Sequence, residues 1–438
     1  MQTYFYDLVE RLQQRLRGDE VLLCSFQGEE SDFVRLNRNR VRQAGNVVQR
    51  ALSIDLIEGS RHSEADADLS GDMEQDLAQV SAVLDSLREQ RIHLRDDPHL
   101  NYAREIRSTE VVDDAALPDS AEVVHTITSG AEGMDLVGLW AAGTLYYGFA
   151  NSMGQRNWHS SRSFNFDWSC YLQGDKATKH DYAGRQWNPA VLTDKLERCR
   201  HELELLARPP QRLAPGRYRV YLAPAAVRDV VDMLSWGGFG LKEHRTAQTP
   251  LIKMVREGAR LNPAITLRED HSRGISPNFD ESGFVSIEPV TLVQAGEYRD
   301  CLVGARSARE YGLPLNSPGE IPAALEMQGG TLARADILNA LDTGLYINHL
   351  WYCNFSDRNN CQITGMTRFA CFWVEEGKIR APLDVMRFDE SVYTMFGDKL
   401  IDLSSERELI LDADTYGSRS SASYLLPGAL ISDFRLTL

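Results

Sequence analysis

The 438-residue sequence has few cysteines and no long hydrophobic run. Its seven cysteines are an odd number in a long chain, and no two have C-x-x-C spacing, so a disulfide scaffold is unfavourable and a reducing cytoplasm fits better. The longest uncharged apolar run, residues 136–150, is too short to span a bilayer, and no signal peptide is visible at the N terminus. We therefore expect a cytoplasmic protein that does not bind to a membrane.

Positive charge is also in deficit. There are 47 Lys and Arg residues against 63 Asp and Glu residues, which gives a formal net charge of −16. An acidic chain repels phosphate backbones, so the charge balance disfavours non-specific binding to nucleic acid. The hydrophobic fraction of 43% and the charged fraction of 25% are ordinary for a globular protein, and the length predicts two to four domains.

Several well-known catalytic motifs are missing. The sequence has no G-x-S-x-G motif, no phosphate-binding P-loop and no complete G-x-G-x-x-G fingerprint. His201-Glu202 could begin a zinc-peptidase helix motif, but no second histidine completes it one helical turn later. His349, Cys353, Cys361 and Cys371 are close in sequence, yet their spacings of four, eight and ten match no common metal-ligand pattern. Buried packing is the favoured interpretation of these cysteines.

Hydrophobic periodicity predicts an α+β fold in three segments. Residues 1–110 form a mixed α/β domain with an N-terminal amphipathic helix, strands, and a long helix capped by Ser70. Residues 111–212 form a β-rich segment closed by a helix, and residues 213–438 form a β-rich C-terminal domain. Proline-containing turns near residue 212 predict the second boundary.

Caps and turn residues predict further elements. Asn188 followed by proline predicts a helix start, and Pro224 begins another predicted helix. Residues 121–173 are predicted to be strands and turns, with a hairpin turn at Ala142-Gly143. The buried face of the helix from Pro224 is predicted to consist of Val227, Val230, Val231 and Leu234.

An ordered series of short motifs in the second half resembles a known family. The motifs are NPAITLRED (262–270), NFDESG (278–283), TGLYI (343–347), NFS (354–356), TG (364–365) and FWVEEGKI (372–379), followed by Pro382. Their order and spacing resemble the TldD/PmbA (TldE) family, also called modulators of DNA gyrase. Arginine-bearing strands within 34–53 and an N-S-x-G turn at 151–154 extend the resemblance to about residues 20–435.

The resemblance implies both a fold and a function. The implied fold is an α/β N-terminal region followed by a β-rich C-terminal domain. TldD-type members are zinc peptidases with a histidine-glutamate motif on the first helix of the C-terminal domain. PmbA/TldE-type members lack these ligands and pair with a TldD-type subunit, and the complex trims unfolded or leader-bearing peptides.

This sequence departs from the zinc motif of the family. The histidine positions are occupied by Leu234 or Ser235 and by Phe239, and no cysteine lies near Tyr416, where TldD-type members have one. The resemblance therefore places the chain with the PmbA/TldE-type branch. We expect no catalytic residue, metal or cofactor in this chain, with zinc held by a TldD-like catalytic partner subunit.

A candidate peptide-binding site follows the same helix. Two glycines should end the helix and form a wall, with Trp236 and Phe239 as contacts for an apolar peptide side chain. The alternative is that both aromatic residues are ordinary core. The tentative site therefore consists of Trp236, Gly237, Gly238 and Phe239. A bound peptide could also add as a strand, through backbone hydrogen bonds.

The leading hypothesis is a TldE/PmbA-like subunit of a hetero-oligomeric metallopeptidase complex that acts in proteolysis or peptide maturation. Its expected partners are a TldD-like subunit and unfolded or leader peptides. Two alternatives stay open. One is a self-sufficient metallopeptidase whose metal is held by residues such as His349, Cys353 and Cys361. The other is a non-enzymatic regulator of a DNA enzyme.

Overall fold

The structure is a computed structural model that describes residues 1–174 and 176–438, and over these residues it contains helices and two β-sheets. The predicted α+β class is confirmed. The α-helices are α1 (Gln2–Gln13), α2 (Met73–Arg91), α3 (Ser120–Gly130), α4 (Pro189–Leu206), α5 (Pro224–Ser235), α6 (Leu241–Arg245), α7 (Ile252–Glu257), α8 (Ala305–Tyr311) and α9 (Ile337–Leu341).

The strands of the first sheet are β1 (Val21–Asn37), β2 (Arg40–Glu58), β3 (Arg61–Asp68), β4 (Thr109–Val112), β5 (Asp135–Asn151), β6 (Arg156–Gln173) and β7 (Lys176–Gly184). Those of the second are β8 (Gly216–Leu222), β9 (Leu267–Glu269), β10 (Val290–Gln294), β11 (Glu297–Tyr298), β12 (Ala324–Met327), β13 (Gly344–Ile347), β14 (His349–Asp357), β15 (Gln362–Arg368), β16 (Phe372–Glu375), β17 (Lys378–Pro382), β18 (Arg387–Ser391), β19 (Leu400–Leu411) and β20 (Ser423–Leu436). Short 3-10 turns occur at His271–Arg273 and Arg334–Asp336, and a π-type turn at Thr394–Asp398.

The first sheet has the strand order β3-β2-β1-β5-β6-β4, with β7 also paired to β6. Side chains alternate between its two faces, as they must in extended strands. Even-numbered residues such as Phe26 and Trp140 pack under the helices α1 to α4. Odd-numbered residues such as Leu23 and Phe149 instead contact Phe279 of the C-terminal half. The second face of this sheet therefore meets the C-terminal half.

The second sheet has the order β11-β10-β9-β12-β20-β8-β13-β16-β17, and a branch runs from β20 through β18 and β15 to β14. Helix α5 contacts β14 and β20 of this sheet. Its apolar face is buried in the largest core of the molecule, as the sequence predicts. The prediction of a β-rich C-terminal half is likewise confirmed.

The predicted hairpin turn at Ala142-Gly143 is wrong, because both residues lie inside β5. Gly143 allows strands β1 and β5 to approach each other closely. A Cβ atom on Gly143 would lie 2.1 Å from the carbonyl oxygen of Glu30 and 2.6 Å from the Cα of Ser31 on β1. The turn that does end β5 is the N-S-x-G turn at 151–154, where Gly154 has a φ of +99°.

Two helix starts also differ from the predictions. Helix α3 lies in a stretch predicted to be strands and turns, and Asp119 caps it by accepting hydrogen bonds from the amides of Ala121 and Glu122. Helix α2 is capped by Asp72 and not by Ser70. The Ser70 hydroxyl instead donates to the buried Asp76 at 2.8 Å. The predicted cap at Asn188 is confirmed.

The loop between β19 and β20 reaches back into the N-terminal half. Its Arg419 is buried, and Nη2 donates to the backbone oxygen and the hydroxyl of Ser163 at 3.0 and 2.8 Å. Nη1 donates to the hydroxyl of Ser31 at 3.3 Å. The last quarter of the chain therefore supplies part of the packing of the first sheet.

Strands from both sides of residue 110 lie in the first sheet, and the division into 1–110, 111–212 and 213–438 stays a prediction. Among the described helices, none combines the length and apolar character needed to cross a bilayer.

Candidate functional site

Helix α5 ends at a glycine corner, in which Gly237 is partly exposed and Gly238 is buried. Gly237 has a φ of +82°, a left-handed conformation that glycine adopts at little cost. A Cβ atom on Gly238 would lie 2.2 Å from the carbonyl oxygen of Leu234. Only glycine fits at position 238, and the left-handed backbone favours glycine at position 237, which explains the two consecutive glycines. The guanidinium of Arg358 donates to the carbonyl oxygen of Trp236 and, at 2.8 Å, to that of Gln248, which fixes the corner to the β14–β15 hairpin.

The two aromatic residues of the predicted site have different surroundings. Trp236 is 55% exposed, whereas Phe239 is 2% exposed and packs in the main core. Phe239 therefore has the burial of a core residue. Trp236 is the aromatic side chain of the corner that a ligand can reach. Its role in peptide binding, and that of the two glycines, stays a prediction.

The residues at the expected zinc positions do not form a metal site. Leu234 and Phe239 are buried in the apolar core and have no donor atom. The Ser235 hydroxyl is directed back at the Val231 carbonyl oxygen, 3.5 Å away. Within residues 1–174 and 176–438, no group of three or more His, Cys, Asp or Glu side chains is placed to hold a metal ion. The side chains of this region thus do not fit a catalytic zinc ion, which needs three protein ligands.

The residues of the alternative metal site, His349, Cys353 and Cys361, also do not come together as a set of metal ligands. His349 and Cys353 are four residues apart on strand β14, which has a bulge between Trp351 and Asn354, and no cluster of metal-binding side chains among the described residues includes them. Cys361 lies in the turn after that strand and is fully buried. Burial raises the pKa of both cysteine thiols to about 12, so neither is a ready thiolate ligand.

The outer face of α5 carries a polar network that the sequence analysis did not single out. The Arg228 guanidinium lies 3.5 Å from the Asp229 carboxylate and over the ring of Tyr424. The Tyr424 hydroxyl donates to Asp232 at 2.7 Å, and Asp229 accepts from the backbone amide of Leu350 at 3.0 Å. Burial raises the pKa of Asp229 to about 6. Nε of Arg228 is buried without a hydrogen-bond partner among the described residues, but the other contacts of this network fix α5 against β14 and β20.

A large cleft lies between the first sheet and the loops of the C-terminal half. It consists of two adjoining cavities of about 520 and 630 Å³ that share lining residues, among them Ser25, Glu281 and Arg306. One wall is the odd-numbered face of β1 and β2. The other wall includes the NFDESG segment at 278–283 and the start of α8. A cleft of this size can hold several residues of an extended peptide.

The NFDESG segment, one of the motifs that carry the family resemblance, is an Asx turn that docks on the first sheet. Oδ1 of Asp280 accepts hydrogen bonds from the amides of Ser282 and Phe284 at 2.9 and 2.8 Å. Gly283 has a φ of +84°, and a Cβ atom there would lie 2.6 Å from the ring of Phe149. Its carbonyl oxygen accepts from the side-chain amide of Gln155 at 2.6 Å. The segment is thus a contact between the two halves.

The cleft is strongly acidic at one end. Glu281 faces Glu64, Asp55 and Asp66 of the β2–β3 hairpin, and burial followed by repulsion from these carboxylates raises its pKa. Burial also raises the pKa of the neighbouring Asp280 to about 7. Protons or cationic groups are therefore favoured at this end.

Two basic side chains, His62 and Arg306, face these carboxylates. Nδ1 of His62 lies 3.2 Å from Asp55 and its Nε2 lies 3.7 Å from Asp97, and the hydrogen bond to Asp55 raises the pKa of His62. Arg306 donates to Asp97. The sequence signal that was missed is the alternation H-x-E-x-D at 62–66, which puts three titratable side chains on one face of β3.

Strand β14 lies at an edge of the second sheet: among the described residues it pairs only with β15, and near its start the amide of Leu350 donates to Asp229 of α5. It exposes two large aromatic residues, Trp351 at 43% and Tyr352 at 74%. The guanidinium of Arg358 at its far end also holds the glycine corner after α5. The edge strand and the exposed Trp236 thus belong to one structural unit.

Comparisons with known proteins agree with this architecture. Residues 215–437, just over half of the chain, match the family model described as the PmbA/TldA metallopeptidase C-terminal domain. A search of curated protein sequences gave no match. TldE from Thermococcus kodakarensis superposes with a TM-score of 0.77 at 14% identity, covering 99% of this chain and 100% of that chain.

Two further solved structures are similar. A candidate modulator of a DNA gyrase from Thermotoga maritima has a TM-score of 0.77 at 13% identity, covering 99% of this chain and 100% of that chain. One from Bacteroides thetaiotaomicron has a TM-score of 0.71 at 13% identity, with 99% and 98% covered. At such low identity these similarities show the fold alone. Together with the match of the family model, they show that the chain belongs to the PmbA/TldD family, to which TldE also belongs.

Proposed function

We propose that this chain is a TldE-like, non-catalytic subunit of a TldD/TldE-type metallopeptidase complex. The observation that carries the proposal is the chemistry of the residues at the end of α5. Leu234 and Phe239 have no donor atoms and Ser235 is bonded to its own helix, so this region offers no ligand set for zinc. Zinc, the activated water and the general base would then come from a TldD-like partner.

The role of this subunit would be to hold the peptide substrate. The cleft between the first sheet and the loops of the C-terminal half has room for several residues of an extended peptide. Its acidic end favours cationic side chains of that peptide. The edge of β14 offers backbone donors and acceptors that bind an extended chain whatever its sequence. Both features suit unfolded or leader peptides, and Trp236 would add an apolar contact.

The proposal includes assembly and location. A subunit without catalytic residues needs its partner for activity, so we expect a hetero-oligomer with a TldD-like subunit. We expect a cytoplasmic location, because an odd number of cysteines without C-x-x-C spacing fits a reducing compartment in which thiols stay free. Direct binding to nucleic acid is not expected for a chain with a net charge of −16.

The test compares the purified chain alone with the chain plus a TldD-like subunit from the same genome. Metal content is measured by mass spectrometry, and cleavage is measured on an unfolded peptide with and without EDTA. We expect no stoichiometric zinc in the lone chain, and cleavage that requires the partner and is abolished by EDTA. One zinc per chain with EDTA-sensitive cleavage by the lone chain would overturn the proposal in favour of the self-sufficient metallopeptidase.

The regulator alternative has its own test, because two of the similar structures are described as candidate gyrase modulators. DNA binding by the chain is measured between 50 and 200 mM salt. We expect no binding with the steep salt dependence that phosphate contacts produce. A tight, salt-dependent complex would favour the regulator.

A further inference from the structure

Another, smaller cavity of about 170 Å³ lies at the N-terminal end of α5, opposite the glycine corner at its C-terminal end. It is enclosed by β7 and α4 of the N-terminal half and by the start of α5, β13 and β19 of the C-terminal half. Its lining residues are separate from those of the acidic cleft. Its polar wall includes Lys179, His180, Lys195, Tyr346 and His349.

The first turn of α5 has two backbone amides without a partner in the helix, those of Ala225 and Ala226; Pro224 has no N–H, and the amide of Val227 donates to the carbonyl oxygen of Ala223. The N-cap residue is Ala223, which has no side chain to accept from the first-turn amides, and no acidic residue lies in that turn. Pro224 and Ala225 line the cavity. The positive end of a 12-residue helix is thus directed at the cavity without a negative group in its first turn.

His349 is the second feature that points to a ligand. It lines the cavity, is only 8% exposed, and its Nδ1 has no hydrogen-bond partner among the described residues. Buried polar atoms are almost always paired in folded proteins. Burial, followed by the positive charges of Lys179, His180, Arg228 and Lys195, lowers the pKa of His349 well below its usual value, which favours the neutral ring.

The carboxylates of the cavity wall already have partners. Glu408 pairs with Lys195 at 3.5 Å, and Glu202 pairs with His180 at 2.8 Å. Glu406 accepts from the backbone amide of Arg334 at 3.1 Å. Burial raises the pKa of Asp181, and the positive charge of Lys195 opposes this rise.

We propose that this cavity binds a carboxylate group, held by the first-turn amides of α5, by the imidazole of His349 and by Lys195. The volume admits a small organic acid or the terminal carboxylate of a peptide, and excludes larger anions. The inference does not depend on the role in a peptidase complex, because it concerns another cavity and requires no partner subunit.

The experiment uses the full-length chain and acetate as the probe. The ring signal of His349 is identified by NMR as the one lost in His349→Gln, and acetate is then titrated at constant ionic strength, with acetamide as the neutral control of the same shape. We expect a saturable shift of this signal with acetate at about 10 mM or below, and none with acetamide. No shift with acetate, or an equal shift with acetamide, would overturn the proposal.

Variants locate the binding group. Lys195→Gln should weaken acetate binding at least tenfold in calorimetry, because a charge-assisted hydrogen bond is lost. His201→Gln, on the exposed side of α4, is the matched control and should leave the affinity unchanged. Equal affinity in Lys195→Gln and the unmodified chain would contradict the assignment. Should Lys195→Gln fail to fold, the acetate and acetamide titrations of the unmodified chain still decide.

The two carboxylate sources are separated with peptides. Acetyl-alanine with a free carboxylate is compared with acetyl-alanine amide in the same titration. Binding of the free acid at least as tight as that of acetate identifies a peptide terminus as the ligand. Binding of acetate with exclusion of acetyl-alanine identifies a small organic acid. Binding of the amide as tightly as the acid would overturn the carboxylate assignment.

Discussion

Nη1 of Arg306, in the C-terminal half, donates a hydrogen bond of 2.6 Å to Oδ2 of Asp97 in the N-terminal half. Both residues line the acidic cleft. Arg306 also lowers the pKa of Asp97, which keeps this carboxylate ionised. The pair is therefore a direct electrostatic link between the two halves at the site where we place the peptide.

We expect Asp97→Asn and Arg306→Gln to show a coupling free energy of about 0.5–1 kcal/mol in a double-mutant cycle at pH 7, because Arg306 is largely exposed. Since the pKa of Asp97 is lowered in the folded state, the contribution is present above the unfolded pKa and lost as the pH falls below about 4. Urea unfolding measures it. The exposed pair Arg11–Glu74 is the control and should show weaker coupling. A coupling that persists at pH 2 would contradict the assignment.

Asp280 should make stability fall as the pH rises. Its pKa is about 7 in the folded state, above the unfolded value of about 4, so the folded protein binds more protons between these values. The free energy of unfolding then decreases from about pH 4 to about pH 7. Asp280→Asn keeps an oxygen for the two backbone amides and should flatten this part of the profile. An unchanged slope in the variant would show that another group titrates.

Gly283→Ala should destabilise the protein by about 2–4 kcal/mol. The φ of +84° is unfavourable for alanine, and the new methyl group would overlap the ring of Phe149. Gly312→Ala is the control, because Gly312 has a similar φ of +67° but open space around it. The control should lose only about 1 kcal/mol. Equal losses in thermal melts would mean that the contact with Phe149 contributes nothing.

Trp236→Ala and Phe239→Ala should separate binding from packing. Phe239 is in the core, so its truncation should cost about 3–5 kcal/mol. Trp236 is mostly exposed, so its truncation should leave the melting temperature nearly unchanged while reducing peptide cleavage by the complex with a TldD-like subunit. A folded Trp236→Ala complex with full activity would remove Trp236 from the site.

The sequence predicts elements best where a local signal decides the structure. The cap at Asn188 and the buried stripe of α5 are of this kind, and both are confirmed. Gly143 shows the opposite case. A glycine beside alanine indicates a turn, yet here it is needed because β1 and β5 approach closely, and that pairing joins residues more than 100 positions apart. Helix α3 was missed because its many β-branched residues favour strands, although its Asp119 cap was readable.

The candidate site was less predictable than the fold. Trp236 and Phe239 are three residues apart, but only the tertiary packing determines that one is exposed and the other is buried. The cleft could not be predicted from spacing, because Asp55, Asp97 and Glu281 come from three distant parts of the chain. The unpartnered Nδ1 of His349 likewise becomes visible only when β7, α4 and α5 surround it.

The buried position of Arg419 has a consequence for the order in which the protein is made. Ser31 and Ser163 are synthesised early, but the guanidinium that bonds to both of them belongs to the last twentieth of the chain. During translation Ser163 of the first sheet therefore emerges 256 residues before the guanidinium that fills this internal space, and the odd-numbered face of the sheet stays uncovered until the C-terminal half has been made. A nascent chain that lacks this loop would carry all the strands of the first sheet but leave Ser31 and Ser163 without their guanidinium partner, which a chaperone or protease can distinguish from the folded protein.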